Sequence, residues 1–273
     1  MGAAKVVPNS NPQHVDTGDS REQNLVYAPE DIAPFGKTLT VNLLGSGPKA
    51  CSFDCPYCDL GRTFTRLNRL KSEVTLPSVE AIGAAVSEAF QKIHATGPAI
   101  DSILLAGNGE PTLHPEFPEV VRLILDARNT WLPGKPVRIM TNGFALDTRK
   151  VTDAMNLMEE RIVKIDAGSE RMFKAMNSPL SRTNLARVLN GIKKLRDVTI
   201  QSMFFKGPID NTVKTELDDW LEVIAMVKPK GVIIQGLSRQ PANPELVRLD
   251  EDQIYAIASL LERKTQIKAI VLP

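Results

Sequence analysis

Cys51-Ser-Phe-Asp-Cys55-Pro-Tyr-Cys58 contains every cysteine of a 273-residue chain. A cubane iron–sulfur cluster normally takes four thiolates. Three are supplied here, so a cubane bound within the chain keeps one iron free of a cysteine ligand. An iron with an open position can bind a small molecule and act on it, as an open zinc position does. Zinc itself is the alternative, with a fourth ligand drawn from the distant His14, His94 or His114, or from Asp54 or Asp59. None of those histidines stands at the short spacing of a zinc finger or ribbon. A disulfide leaves one cysteine over, and nothing in the sequence points to secretion.

Outward from the cysteines, the chain alternates strand, loop and helix. Thr38–Leu44 reads as a strand that breaks at Gly45-Ser-Gly-Pro48, just before the first cysteine. After the cysteines come a helix over Ser78–Ile93, a strand over Ser102–Ala106 and a helix over Pro118–Arg128. Strand Val137–Thr141, helix Thr148–Glu159 and strand Ile162–Ile165 follow. Next are helix Thr183–Leu195, strand Val198–Phe205, helix Lys214–Val227 and strand Val232–Gln235, then helix Asp250–Arg263 and a short run Ile267–Leu272. Strands that are apolar without alternation, separated by helices, predict a parallel sheet buried on both faces. A flat doubly wound sheet and a partial barrel share this period. In either, ligand-binding residues gather at the C-terminal ends of the strands.

Three further stretches stand at such ends: Gly107-Asn-Gly-Glu-Pro-Thr-Leu-His114, Met140-Thr-Asn-Gly143 and Lys164-Ile-Asp-Ala-Gly168. With the Cys-x3-Cys-x2-Cys spacing and Tyr57 before its last cysteine, these resemble, in order, the motifs of the radical S-adenosylmethionine (SAM) enzymes. The resemblance covers about Leu43 to Leu237 and implies an α/β fold, a partial (β/α)6 TIM-like barrel. It also implies a 4Fe–4S cluster on Cys51, Cys55 and Cys58, with SAM chelated at the fourth iron. Reductive cleavage of SAM would yield a 5′-deoxyadenosyl radical that abstracts hydrogen from a substrate.

Site roles follow from the same resemblance. Tyr57 would lie beside the adenine. Gly107, Asn108, Gly109 and Glu110 would position the methionine end, although the family more often has a second glycine where this chain has Asn108. Asp166 would reach the ribose hydroxyls; read on its own residues, it is a turn or helix-cap aspartate. Asn142 either meets the ligand or makes the Asn-Gly turn. Gln201, Ser202 and Gln235 are polar within apolar strands; they face either the barrel interior, where Ser202 and Gln235 would serve as partners for SAM or substrate, or the solvated strand ends. His114 reads as a satisfied structural histidine, and Lys164 and Lys206 as candidate contacts for an anionic substrate.

The wording around the motifs, including Gln-Ser-Met-Phe-Phe-Lys-Gly from Gln201, resembles a compact iron–sulfur oxidoreductase branch related to the wyosine-tRNA synthesis enzymes. Those enzymes carry a second cysteine set ahead of the motif; this chain has no cysteine before Cys51 or after Cys58. An external electron donor of flavodoxin or ferredoxin type is implied. RNA, a peptide or a small metabolite remain open as substrate, the four cations of Gly61–Lys71 making either a surface for an anion or RNA or, as basic runs more often do, a solvated face. A net charge of +1 argues for no particular partner. No apolar run is long enough to span a bilayer, so the expectation is a cytoplasmic enzyme without membrane contact. Residues 1–23 are polar and aperiodic and read as a mobile arm, leaving 24–273 as the core domain. A reading from a different class is a non-catalytic iron–sulfur or zinc protein that senses redox state or scaffolds a partner.

Overall fold

The structure, a computed structural model, describes residues 25–63 and 75–272. The arm expected over 1–23 and most of the basic run Gly61–Lys71 lie outside the described residues. Eight strands form one sheet whose spatial order is the chain order. They are β1 (Glu30–Ile32), β2 (Gly36–Val41), β3 (Ser102–Leu105), β4 (Val137–Thr141), β5 (Glu160–Lys164), β6 (Val198–Met203), β7 (Gly231–Gln235) and β8 (Ala269–Leu272). From β2 to β8 every neighbouring pair is parallel, and β1 pairs antiparallel with β2. Strands β1 and β8 end the sheet, which is therefore an open, partial barrel.

Helices fill the crossovers that parallel strands require. They are α1 (Val79–Thr96), α2 (Phe117–Trp131), α3 (Arg149–Met155), α4 (Glu170–Asn177), α5 (Leu185–Ile192), α6 (Lys214–Val227) and α7 (Glu251–Thr265). Helix α1 starts where Ser78 accepts a hydrogen bond from the Ala81 N–H, and buries Ile82, Val86 and Phe90 along one face. Each of those side chains contributes about 1.5–3 kcal/mol of burial. Helix α7 opens on a capping box between Asp250 and Gln253. None of the described helices is long and apolar enough to cross a membrane.

The strands bury both faces. Leu39, Val41, Ile103, Ile139, Val163, Ile200 and Ile234 point outward into the main core with the helices. The opposite parity faces the barrel interior, where Phe35, Ile162 and Ile233 pack with Met140 and Leu272. Phe35 stands in the β1–β2 turn, so it closes the barrel at the N-terminal ends of the strands. The Arg138 guanidinium lies 5.1 Å above its ring. The opposite end, where the motif loops emerge, is left for ligands.

Three elements depart from the sequence expectation. Strand β1 is three residues long and carries two acids, too short and polar to read as a strand. Helix α4 has two turns, opened by Ser169 accepting from the Met172 N–H, and buries Met172, Phe173 and Met176. It occupies a stretch between Gly168 and Thr183 to which the sequence pattern assigns no element. The helix expected over Thr148–Glu159 stops at Met155.

Candidate functional site

The loop after β2 and the turn after β3 are held together by main-chain contact. Gly107 and Gly109 have φ of +133° and +134°, which side chains rarely adopt. Glu110 N–H then donates to the Ala50 carbonyl at 2.9 Å, and Ala50 N–H to the Asn108 carbonyl at 3.1 Å. A Cβ on Gly109 would lie 1.9 Å from the Ala50 oxygen, so only glycine permits this approach. Asn108, the departure from the family's paired glycines, does not itself need a positive φ. Its side-chain amide instead donates to the Gly45 and Gly47 carbonyls, bracing the loop that leads to the cysteines.

Glu110 is 2% exposed. Its Oε1 accepts from Thr112 N–H at 3.1 Å, Thr112 Oγ1 at 2.5 Å and Thr141 Oγ1 at 2.6 Å. Among the described residues its Oε2 accepts only from Asn142 N–H, at 2.7 Å. Burial raises its pKa, opposed by these bonds. The carboxylate ties the end of β3 to that of β4. Among the described residues no lysine or arginine pairs with it.

Asn142 reaches the cysteine loop. Its Nδ2 lies 3.5 Å from Cys51 Sγ and 2.8 Å from Ser52 Oγ, while its Oδ1 accepts from Phe144 N–H at 3.0 Å. One side chain thus makes the Asn-Gly turn and touches a sulfur.

Asp166, 1% exposed, gathers three elements. Its Oδ2 accepts from the Tyr57 hydroxyl and, at 2.9 Å, from Asn177 Nδ2; its Oδ1 accepts from Met203 N–H at 2.9 Å. It caps no helix, since Ser169 caps α4. Tyr57 is buried against Phe205, with ring centroids 5.6 Å apart, and Lys164 Nζ sits 5.1 Å from its ring centroid. Burial and the Asp166 carboxylate push the phenol's pKa well above its ordinary value.

Asn177 went unnoticed in the sequence. From the last turn of α4, its Nδ2 lies 3.7 Å from Cys55 Sγ and 3.3 Å from Tyr57 Oη. Asn211, equally unnoticed and 2% exposed, donates to the Asp166 and Met203 carbonyls at 3.1 and 2.8 Å. It holds the ends of β5 and β6 together. Recognising α4 as a helix would have exposed the first; the second carried no sequence signal.

Cys51, Cys55 and Cys58 are free thiols, each partly buried. Loss of water pushes the Cys51 thiol up to about 12, with Cys55 and Glu110 adding to the rise. Cys55 rises to about 11, again by burial first and then by Asp166. Such thiols keep their protons at neutral pH until a metal displaces them. Among the described residues no three Cys, His, Asp or Glu side chains converge on a single metal ion. A mononuclear zinc site needs that convergence, whereas a cubane takes each thiolate at a separate iron.

Gln201 and Gln235 face the interior, their amides joined by a 2.6 Å bond from Gln201 Nε2 to Gln235 Oε1. Ser202 does not join them. The period of two turns it outward, where its hydroxyl donates to the Ile165 carbonyl and accepts from Trp220 Nε1 at 3.0 Å. Both expectations for Ser202, the barrel interior with SAM or substrate and the solvated strand end, are therefore corrected. His114 is structural: Nδ1 accepts from Glu116 N–H at 3.2 Å, and Nε2 lies 2.9 Å from the Pro77 carbonyl. Lys206 pairs through its main chain with Val247.

Residues 47–224 match the family model described as the Radical SAM superfamily. The chain is 26% identical over 252 residues to a Brachyspira hyodysenteriae protein named GTPase Obg, covering 89% of this chain but only 34% of that one. It is 26% identical over 229 residues to UPF0026 protein slr1464 of Synechocystis sp., covering 81% and 78%. A radical SAM methyltransferase from Sphaerobacter thermophilus superposes with a TM-score of 0.65 at 14% identity, covering 88% and 67%. TYW1, solved with a lysine-pyruvate adduct, gives 0.58 at 14% identity, covering 85% and 74%. Both structural likenesses concern the fold.

Enzymes of this family bind a 4Fe–4S cluster and SAM, and the residues present fit both. Three thiols share one loop at the barrel mouth, and two of them have a side-chain amide within reach of the sulfur. Among the described residues Glu110 is a buried carboxylate with no cationic partner and one bond at Oε2, which suits the ammonium of an amino acid. The match to the family model spans well over half of the sequence: this chain belongs to the radical SAM superfamily.

Proposed function

We propose that the protein is an oxidoreductase-like radical SAM enzyme acting on a substrate held at the C-terminal mouth of the barrel. The observation that carries this reading is the convergence of residues more than ninety positions apart on the cysteine loop: Asn142 at Cys51, Asn177 at Cys55, and Asp166 at Tyr57. When bound, the cluster would pass an external donor's electron to SAM, which would supply the radical chemistry for hydrogen abstraction from substrate. The chain's own residues bind and position. Cys51, Cys55 and Cys58 would hold three irons as thiolates, and Gly107, Asn108 and Gly109 would bring the backbone close to the methionine end. Glu110 offers Oε2 to the amino group. Asp166 and Tyr57, joined by a hydrogen bond, form the far wall of the mouth and would position the adenosine end. The electron comes from an external donor of flavodoxin or ferredoxin type.

The test is anaerobic reconstitution with iron and sulfide, followed by EPR of the reduced protein with and without SAM. A 4Fe–4S signal that SAM perturbs supports the reading. A signal indifferent to SAM identifies a redox sensor or scaffold, and stoichiometric zinc without a cluster removes the reading altogether.

A further inference from the structure

Below the cysteine loop the barrel interior holds a polar layer that the roles above leave unused. Lys164 on β5 and Gln201 on β6 are direct register partners, and Gln201 bonds to Gln235 on β7. All three lie on the concave face, above the apolar floor of Ile162, Ile233 and Met140.

Two observations show that this layer is unsatisfied. The first is Lys164. Its ammonium rests over the Tyr57 ring, 5.1 Å from the centroid, and is close enough to Cys55 to act on that thiol electrostatically. It forms no ion pair among the described residues. The nearby carboxylate, Asp166, is already engaged by Tyr57, Asn177 and Met203 N–H. A ring face compensates a partly desolvated ammonium only in part and leaves its N–H donors available to an anion.

The second is Gln201. It is 5% exposed, and its Oε1 has no hydrogen-bond partner. Flipping the Gln201 amide leaves the nitrogen unmatched instead of the oxygen, so one atom of a buried amide stays unpaired either way. That costs about 1–3 kcal/mol, which a bound group would offset.

We infer that Lys164, Gln201 and Gln235 form a substrate subsite for a small carboxylic acid that carries an N–H or O–H donor beside its carboxylate. The carboxylate meets Lys164, the donor group meets the glutamine amides, and the apolar body rests on Ile162, Ile233 and Met140. This deepens the function proposed above by naming a substrate class for the same mouth. It rests on that reading only for the assumption that substrate enters there.

The test is calorimetric titration of the reconstituted full-length protein, anaerobic, oxidised and saturated with SAM. The probes are glycolate, L-alanine and N-acetylglycine, each paired with its neutral amide. At least one acid binds while its amide does not. Lys164→Met weakens that acid about tenfold, equivalent to about 1.4 kcal/mol, and leaves SAM affinity unchanged. Gln201→Leu weakens it about threefold, the range of one hydrogen bond. Lys164→Gln serves if the methionine variant does not fold.

The inference is overturned if no acid binds better than its amide, or if removing the Lys164 charge leaves acid binding intact. It is also overturned if that change weakens SAM instead, because the anion at Lys164 is then the methionine carboxylate. Reductive SAM cleavage is measured separately. An acid that binds to a protein unable to cleave SAM leaves the subsite standing without the activity, and cleavage without acid binding leaves the activity without the subsite.

Discussion

Asn142 holds Cys51: its side-chain nitrogen lies 3.5 Å from the sulfur although ninety-one positions separate the two residues. A hydrogen bond to a cluster sulfur favours the reduced, more negative state and raises the reduction potential. Asn142→Ala therefore makes the cluster harder to reduce, lowering its midpoint by about 60 mV if the bond is worth about 1.4 kcal/mol. An EPR-monitored redox titration reads the shift. An unchanged midpoint removes the electrostatic role and leaves Asn142 as a turn residue.

The Tyr57 hydroxyl is one of three donors to the buried Asp166 carboxylate. Tyr57→Phe keeps the ring and removes that donor, so the carboxylate loses a charge-assisted bond. The expected cost is about 1.5–3 kcal/mol in the apo protein, measured by denaturant unfolding. A loss under half a kilocalorie would show that water takes the hydroxyl's place.

Gly109 and Gly134 separate close approach from backbone strain. Both have positive φ, +134° and +79°, but a Cβ on Gly134 meets nothing within 4 Å, whereas one on Gly109 meets the Ala50 carbonyl. Gly134→Ala costs about 1–2 kcal/mol and takes up iron normally. Gly109→Ala pushes the cysteine loop off the β3 end and loses iron incorporation. Iron and sulfide content after reconstitution distinguishes them; equal loading contradicts the contact argument.

Glu159 gives a pH-dependent contribution. Burial alone would raise its pKa, but bonds from Val137 N–H at 2.8 Å and Arg128 at 3.0 Å outweigh it, and the net shift is downward. A carboxyl with a depressed folded pKa stabilises the fold fully above its unfolded value of about 4.3 and loses that effect as pH falls through the folded one. Glu159→Gln thus destabilises at pH 7, by about 1 kcal/mol or less because the group is partly exposed. The gap between variant and parent narrows below about pH 4. Urea unfolding at both pH values checks the sign.

Much of this architecture is legible without coordinates. The strands β4 and the helix α6 run over the residues that their apolar pattern picks out, and the motif loops follow strand ends because parallel sheets bind ligands there. Other parts carry little pattern. Three residues of β1 are mostly polar and pair only because the turn places Phe35 against Ile162 and Ile233. Ser202 and Gln201 are adjacent and both polar, and their opposite directions depend on strand phase, which Trp220 and Gln235 reveal. Asn177 was hidden because two turns of helix give too short a period to read, and those of its partners that stand on the cysteine loop lie 120 positions away or more.

The most direct test of the central claim compares the reconstituted wild-type protein with Cys55→Ala, both anaerobic with SAM and dithionite, by mass spectrometry for 5′-deoxyadenosine. The account predicts 5′-deoxyadenosine from the wild type and none from the variant, with the variant's circular dichroism unchanged. Undiminished 5′-deoxyadenosine from Cys55→Ala would contradict it.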